Sequence, residues 1–170
     1  MCMRVPETNH PHPANHSDAS SCLYETDFYA WTQEQARLLR QQQWHSIDWA
    51  NLIEEIESLG KQQRQELRNR LSILLGHLLK WHFQPQQRSR SWLATIRIQQ
   101  LDIAELLEDN PSLEPVVSAL TQKAYPKAIE LAVSETDLRG STFPADCPYS
   151  RDDILAPDFF PGEPSDLLNE

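Results

Sequence analysis

Apolar residues recur along this chain at steps of three and four, and no stretch alternates apolar and polar residues over five or more positions. The first spacing gives a helix one apolar face, whereas alternation would mark a half-buried strand, so the pattern predicts an all-α domain. Phe28, Trp31, Ala36, Leu38 and Leu39 set a first amphipathic helix between Asp27 and about residue 43. Asp48 can cap a second helix by accepting from the free amides of its first turn. That helix carries Trp49, Leu52, Ile53, Ile56 and Leu59, then, beyond a polar gap, Leu67, Leu71, Leu74, Leu75 and Leu78. Unbroken over 48–83 it would run roughly 50 Å at 1.5 Å per residue. A compact domain of this size is only about 40 Å wide. Gly60 lies where the stripe fades and costs about 1 kcal/mol inside a helix, so a bend or break is expected there.

Pro85 ends the long element, because it lacks a donor and pushes Gln84 out of helical geometry. A turn over 84–89 leads to a third helix at about 91–109, with Trp92, Ile96, Gln99, Ile103 and Leu106 on one face. Asn110, Pro111 and Ser112 stop it. Ser112 is then placed to cap a fourth helix with Pro115 in its first turn. Pro126 is expected to kink or restart this helix, whose apolar pattern continues through Ile129, Leu131, Ala132 and Val133 toward a stop at Gly140. The Pro-rich end holds Phe143, Tyr149, Ile154, Leu155, Phe159 and Phe160, too apolar for a free linker, and is expected to pack back as a clasp. Ser150 and Asp153 have the spacing of a capping box and predict one short helical turn before Pro157. The fold expected is a helical bundle of four to five main helices with this short turn and clasp. Residues 1–22 show no apolar periodicity and read as a disordered leader, 23–161 as one helical domain, and 162–170 as a flexible tail.

Composition narrows the chemistry. The chain has 170 residues and four glycines, at Gly60, Gly76, Gly140 and Gly162, too scattered for a dinucleotide fingerprint or a phosphate-cradling loop. Cys2, Cys22 and Cys147 are odd in number and widely spaced, which suggests neither a disulfide framework nor a zinc knuckle and fits a reducing cytoplasm. No apolar run approaches the roughly 18 residues of a membrane span, and no apolar core follows the N-terminus as in a signal peptide. His10, His12 and His16 in the leader lack a fixed backbone on which to hold a metal.

The arrangement of these residues resembles a known family. Tyr24 to Trp31 (YETDFYAW), Trp49 to Gly60 (WANLIEEIESLG), and His77 to Trp81 (HLLKW) followed by Gln84-Pro85 and Arg88 to Trp92 (RSRSW) stand in order. Phe143 to Tyr149 (FPADCPY) and Asp158 to Pro161 (DFFP) close the series. Together they resemble the bacterial family known as domain of unknown function twenty-nine, in the form common in cyanobacteria. The resemblance implies a helical bundle and no particular activity.

Charge supplies the sharpest candidate site. The net charge is −10, yet residues 60–101 hold eight cations against Glu66, a balance of +7 between flanks of −6 and −11. Lys80, Trp81, Gln84, Arg88, Arg90, Trp92 and Arg97 cluster at the hairpin, where guanidiniums would hold phosphate bidentately and rings would stack on bases. The alternative is internal neutralisation, with the hairpin facing the acidic C-terminal third. A second candidate is a metal site of Glu54, Glu57 and His77, for a nuclease-like hydrolase gripping phosphate with Lys80, Arg88 and Arg97. It requires the chain to reverse at Gly60, since along a continuous helix these residues stay about 30 Å apart. The glutamate-x-x-histidine repeat of di-iron bundles is absent, and His77 and His82 lie about 140° apart around the helix. His77 otherwise reads as a hydrogen-bonded packing residue. Glu57 with Lys61 and Glu66 with Arg70 have the spacing of surface ion pairs. The role expected is a non-enzymatic binding module for protein or nucleic acid, a cytoplasmic monomer or weak oligomer with no cofactor and no membrane partner. A component of a two-protein operon pair is a further reading.

Overall fold

The computed structural model describes residues 23–168, and among them every regular element is helical. After a helical turn over 23–26 come α1 (Phe28–Arg40), α2 (Trp49–Phe83), α3 (Arg90–Asp109), α4 (Val117–Ser134) and α5 (Arg151–Leu155), linked by short 3-10 turns. The all-α bundle read from the periodicity is the fold observed. The expected disordered leader lies outside the described residues. The chain forms two compact units, Met1–Leu59 and Gly60–Glu170, and the boundary falls inside α2.

In the first unit Asp27 caps α1, its Oδ1 accepting from Ala30 N at 3.0 Å. Trp31, Gln35 and Leu38, at helical spacing, are the buried face of α1. Beyond the helix, Gln42 takes the left-handed conformation (φ 56°) that turns the chain toward a 3-10 turn at Trp44–Ser46. Asp48 is buried and ties the unit together. Its carboxylate accepts from Trp31 Nε1 (3.3 Å) and Asn51 Nδ2 (2.7 Å), while its own amide donates to Gln35 Oε1 (2.9 Å). The cap predicted from sequence is thus also a buried acceptor, with Asn51 N at 3.5 Å. Tyr24 packs edge-on against Trp31 (4.9 Å), and its hydroxyl donates to Glu55 Oε1 (2.5 Å). That bond, above all, holds the Tyr24 phenol protonated up to about pH 12.

Several sequence expectations need correction. The helix does not break at Gly60: α2 is one 35-residue helix. A Cβ at Gly60 would meet nothing within 4 Å, so no neighbour deflects the chain, and the glycine's roughly 1 kcal/mol is small beside the buried leucines that follow. On α3 the buried residues are Leu93, Ile96, Gln100, Ile103 and Leu107, one position beyond several of those expected. Ser112 caps no α-helix. A 3-10 turn at Pro111–Val116 contains Pro115, and α4 starts at Val117 without a side-chain cap.

α4 does not restart at Pro126: it runs through this exposed proline as one helix. The helix ends at Ser134, six residues before Gly140, where Ser134 and Thr136 hydroxyls donate to the carbonyls of Leu131 (2.9 Å) and Ala132 (2.6 Å).

The second unit is built on the leucine seam of α2. Leu67, Leu71, Leu74, Leu75 and Leu78 have no exposed surface and pack with α3, α4 and the C-terminal segment in one core. At Gly76 the approach of α4 is so close that a Cβ would lie 2.6 Å from Leu131 Cδ2. Small residues at this crossing, Ala128 and Ala132, are fully buried. The clasp forms as expected. Phe143, Tyr149 and Ile154 are buried, Tyr125 donates to Pro144 O (2.8 Å), and Ser150 and Asp153 make a complete capping box.

Candidate functional site

The hairpin between α2 and α3 turns through Pro85–Gln87, and Ser89 caps α3 by accepting from Trp92 N at 3.3 Å. This cap fixes where the cations around it stand, and they divide into two groups. Lys80 is fully buried. Its Nζ forms an ion pair with Glu135, just past the end of α4, and lies 4.7 Å from the centre of the Trp92 ring. Arg88 donates from Nε to Trp81 O (2.9 Å), from Nη1 to Glu163 O (2.7 Å) and Pro164 O (3.5 Å), and from Nη2 to Pro161 O (3.5 Å). Its guanidinium stands 4.8 Å from the Trp81 ring centre. Arg70 pairs with Glu66 (2.8 Å), as its spacing predicts, and with Asp102 on α3. Arg90 and Arg97 are exposed.

Trp92 and Glu135 also line a cleft of about 410 Å³ with Gln84, Gln87, Ser134, Thr136 and Asp137. One turn before Lys80, His77 is 9% exposed and its Nδ1 has no hydrogen-bond partner. Burial, reinforced by the Lys80 charge and opposed by Glu135, lowers its pKa to about 4, so the ring is neutral near pH 7. His77 is thus buried as a packing residue, with its Nδ1 making no hydrogen bond. Cys147 is half-buried with its thiol pushed up by burial, which disfavours the thiolate a nucleophile needs.

Of the residues predicted from sequence, Lys80, Gln84 and Trp92 come together around the cleft, and Trp81 and Arg88 meet at the C-terminal segment. Glu54 and Glu57 stand in the first unit and His77 in the second, on one helix that continues through Gly60. Among the described residues no three His, Cys, Asp or Glu side chains are grouped to hold a metal. Sequence reasoning missed Glu135, whose proximity to Lys80 depends on how α4 packs. It also missed Gln100, whose Nε2 donates to Ala156 O (3.1 Å) and Phe159 O (3.3 Å). The signal was present, since Gln100 stands at helical spacing between Ile96 and Ile103.

A further feature departs from expectation. The first half of the apolar stripe on α2 is exposed: Trp49 by 48%, Ile53 by 54%, Ile56 by 61% and Leu59 by 62%. At 3.6 residues per turn these four fall within an arc of about 120°. Glu57 lies about 40° beyond Ile53 on one side, and Glu55 about 40° beyond Leu59 on the other.

The sequence profile of the domain of unknown function DUF29 matches residues 23–160. The chain belongs to the DUF29 family. No curated protein and no solved structure matches it. The DUF29 match spans both halves of α2, so it includes the exposed stripe and the hairpin alike. Among the described residues of this DUF29 chain, no helix is long and apolar enough to cross a membrane.

Proposed function

We propose that the chain is a non-enzymatic protein-binding module, working in the cytoplasm as a monomer or weak oligomer, and that its docking surface is the stripe of Trp49, Ile53, Ile56 and Leu59. The observation that carries this reading is that stripe itself, four large apolar side chains about half exposed on one face of a helix. An apolar helix face this exposed fits the groove-and-helix mode of protein recognition. Its surroundings specify the partner's charge. Residues 23–59 hold two cations against seven acids, a balance of −5, and Glu55 and Glu57 flank the stripe. The complementary partner is an amphipathic helix with an apolar face and basic borders.

The nucleic-acid reading of the hairpin has less support, because Lys80 and Arg88 already hold internal partners and Arg70 is paired. A synthetic 20-residue helix of leucines and lysines, titrated into the full chain by fluorescence anisotropy, tests the proposal. Saturable binding at least tenfold weaker for Ile56→Glu is expected. That substitution adds charge attraction while removing the apolar contact, so unchanged or tighter binding would refute the docking surface.

A further inference from the structure

After α5 the chain continues as an irregular strap over 157–168, marked by Pro157, Pro161 and Pro164 and ending in a 3-10 turn at Asp166–Leu168. Its polar ties share one chemistry. Gln100 Nε2 donates to the carbonyls of Ala156 and Phe159, and Arg88 donates to those of Pro161, Glu163 and Pro164. In each, a side chain of the hairpin donates and a backbone carbonyl of the C-terminal segment accepts. A proline-marked segment is short of N–H groups and rich in free carbonyls, so donors on the groove are what can hold it. The apolar contacts are aromatic: Phe160 lies 5.4 Å from Trp81 and Phe159 5.7 Å from Tyr149, ring centre to ring centre.

At Gly162 (φ +84°) the backbone approaches the groove closely. A Cβ there would stand 3.1 Å from His82 Cδ2 and 3.2 Å from Arg88 Nη2. Carbonyls bound by fixed donors, rings set in aromatic pockets and prolines that limit the entropy lost on binding are the means by which domains hold extended peptides.

We propose that the groove of Trp81, His82, Arg88 and Gln100 is a peptide site, occupied in cis by residues 157–168. A partner protein's segment of the same chemistry, two aromatics followed by proline, glycine and an acid, enters by displacing them. This site lies wholly in the second unit and does not depend on the stripe of α2. A tethered strap competes at an effective concentration on the order of millimolar, which keeps the groove closed to weak ligands.

The probe is a fluorescein-labelled peptide with the sequence of residues 156–168, titrated into the full-length chain and its Gly162→Val variant. Valine would clash with His82 and Arg88 and is disfavoured at positive φ, so it dislodges the chain's own strap and leaves the groove side chains in place. Saturable binding at least tenfold tighter to Gly162→Val than to wild type is expected, with at least a tenfold loss when Arg88→Ala is added. A second readout uses the wild type alone: excess unlabelled peptide should remove hydrogen-exchange protection from the amides of Phe159 and Leu168 in the chain's own strap. No saturable binding to either chain, with that protection unchanged, overturns the proposal. A concentration-dependent dimer of Gly162→Val that excludes the peptide would also overturn it, by assigning the groove to the strap of a second copy.

Discussion

The two halves of α2 carry the same kind of apolar stripe and have opposite fates. Over 49–59 Trp49, Ile53, Ile56 and Leu59 are about half exposed and Leu52 is partly buried, whereas from Leu67 to Leu79 every leucine is fully buried. Helical periodicity states which residues share a face; what covers that face depends on the other elements available to pack on it. In the second unit α3, α4 and the clasp all contribute to the core around the seam. In the first unit the described buried residues are Trp31, Gln35, Leu38, Ile47 and Asp48, while the large apolar residues at 49, 53, 56 and 59 on α2 are exposed. The cations show the reverse contrast. Those of the hairpin that look poised for a ligand, Lys80 and Arg88, are tied within the second unit, while a stripe that looks like core is open.

The largest expected effect comes from breaking the buried half. Leu74→Ala should destabilise by about 2 to 5 kcal/mol in urea unfolding, because the close-packed seam cannot collapse around the cavity. His77 comes next, through pH. Its folded pKa of about 4 lies below the ordinary 6.5, so the unfolded chain binds more protons between those values. The stability this contributes is complete above about pH 6.5 and is lost as pH falls toward 4. Wild type should therefore lose about 2 kcal/mol more than His77→Phe between pH 7 and pH 5, read from urea melts at both.

Glu135→Gln should cost about 1 kcal/mol, because it leaves the buried Lys80 ammonium without its counter-charge while half of the lost interaction is exposed to water. Lys80→Met should be close to neutral, since an apolar side chain of similar length fills the site without a charge to desolvate. The smallest effect is on the open half: Ile56→Gln should shift stability by less than about 0.5 kcal/mol. A loss comparable to that of Leu74→Ala would mean the two halves of α2 do not differ as described.

Much of the fold was legible because it is written in local signals. The caps at Asp48 and Ser150, the stop before Pro85 and the leucine seam all follow from backbone chemistry within a few residues. The errors share a cause. Gly60 and Pro126 are local helix breakers, yet α2 and α4 each continue through them as one helix. The apolar pattern points to a stop at Gly140, but the helix ends six residues earlier, where hydroxyls of Ser134 and Thr136 donate to its last carbonyls. The candidate site was legible by residue type but not by role. Lys80 and Arg88 were found from a charge count, but that count could not show that Glu135 and the carbonyls of 161–164 lie against them. Such pairings join positions 55 to 76 residues apart and exist only once the helices have packed.

The central claim is that this chain docks a basic amphipathic helix through the open half of α2, and that the exposed hairpin cations Arg90 and Arg97 do not form a nucleic-acid site. The most direct test sets two labelled probes side by side at low salt, the leucine-lysine helix and a mixed-sequence single-stranded 20-mer of DNA, each titrated into the wild-type chain, Ile56→Glu and Arg90→Ala/Arg97→Ala. The account predicts saturable binding of the peptide that depends on Ile56, with no saturable binding of the DNA. DNA binding that is lost with Arg90 and Arg97, beside peptide binding indifferent to Ile56→Glu, would contradict it.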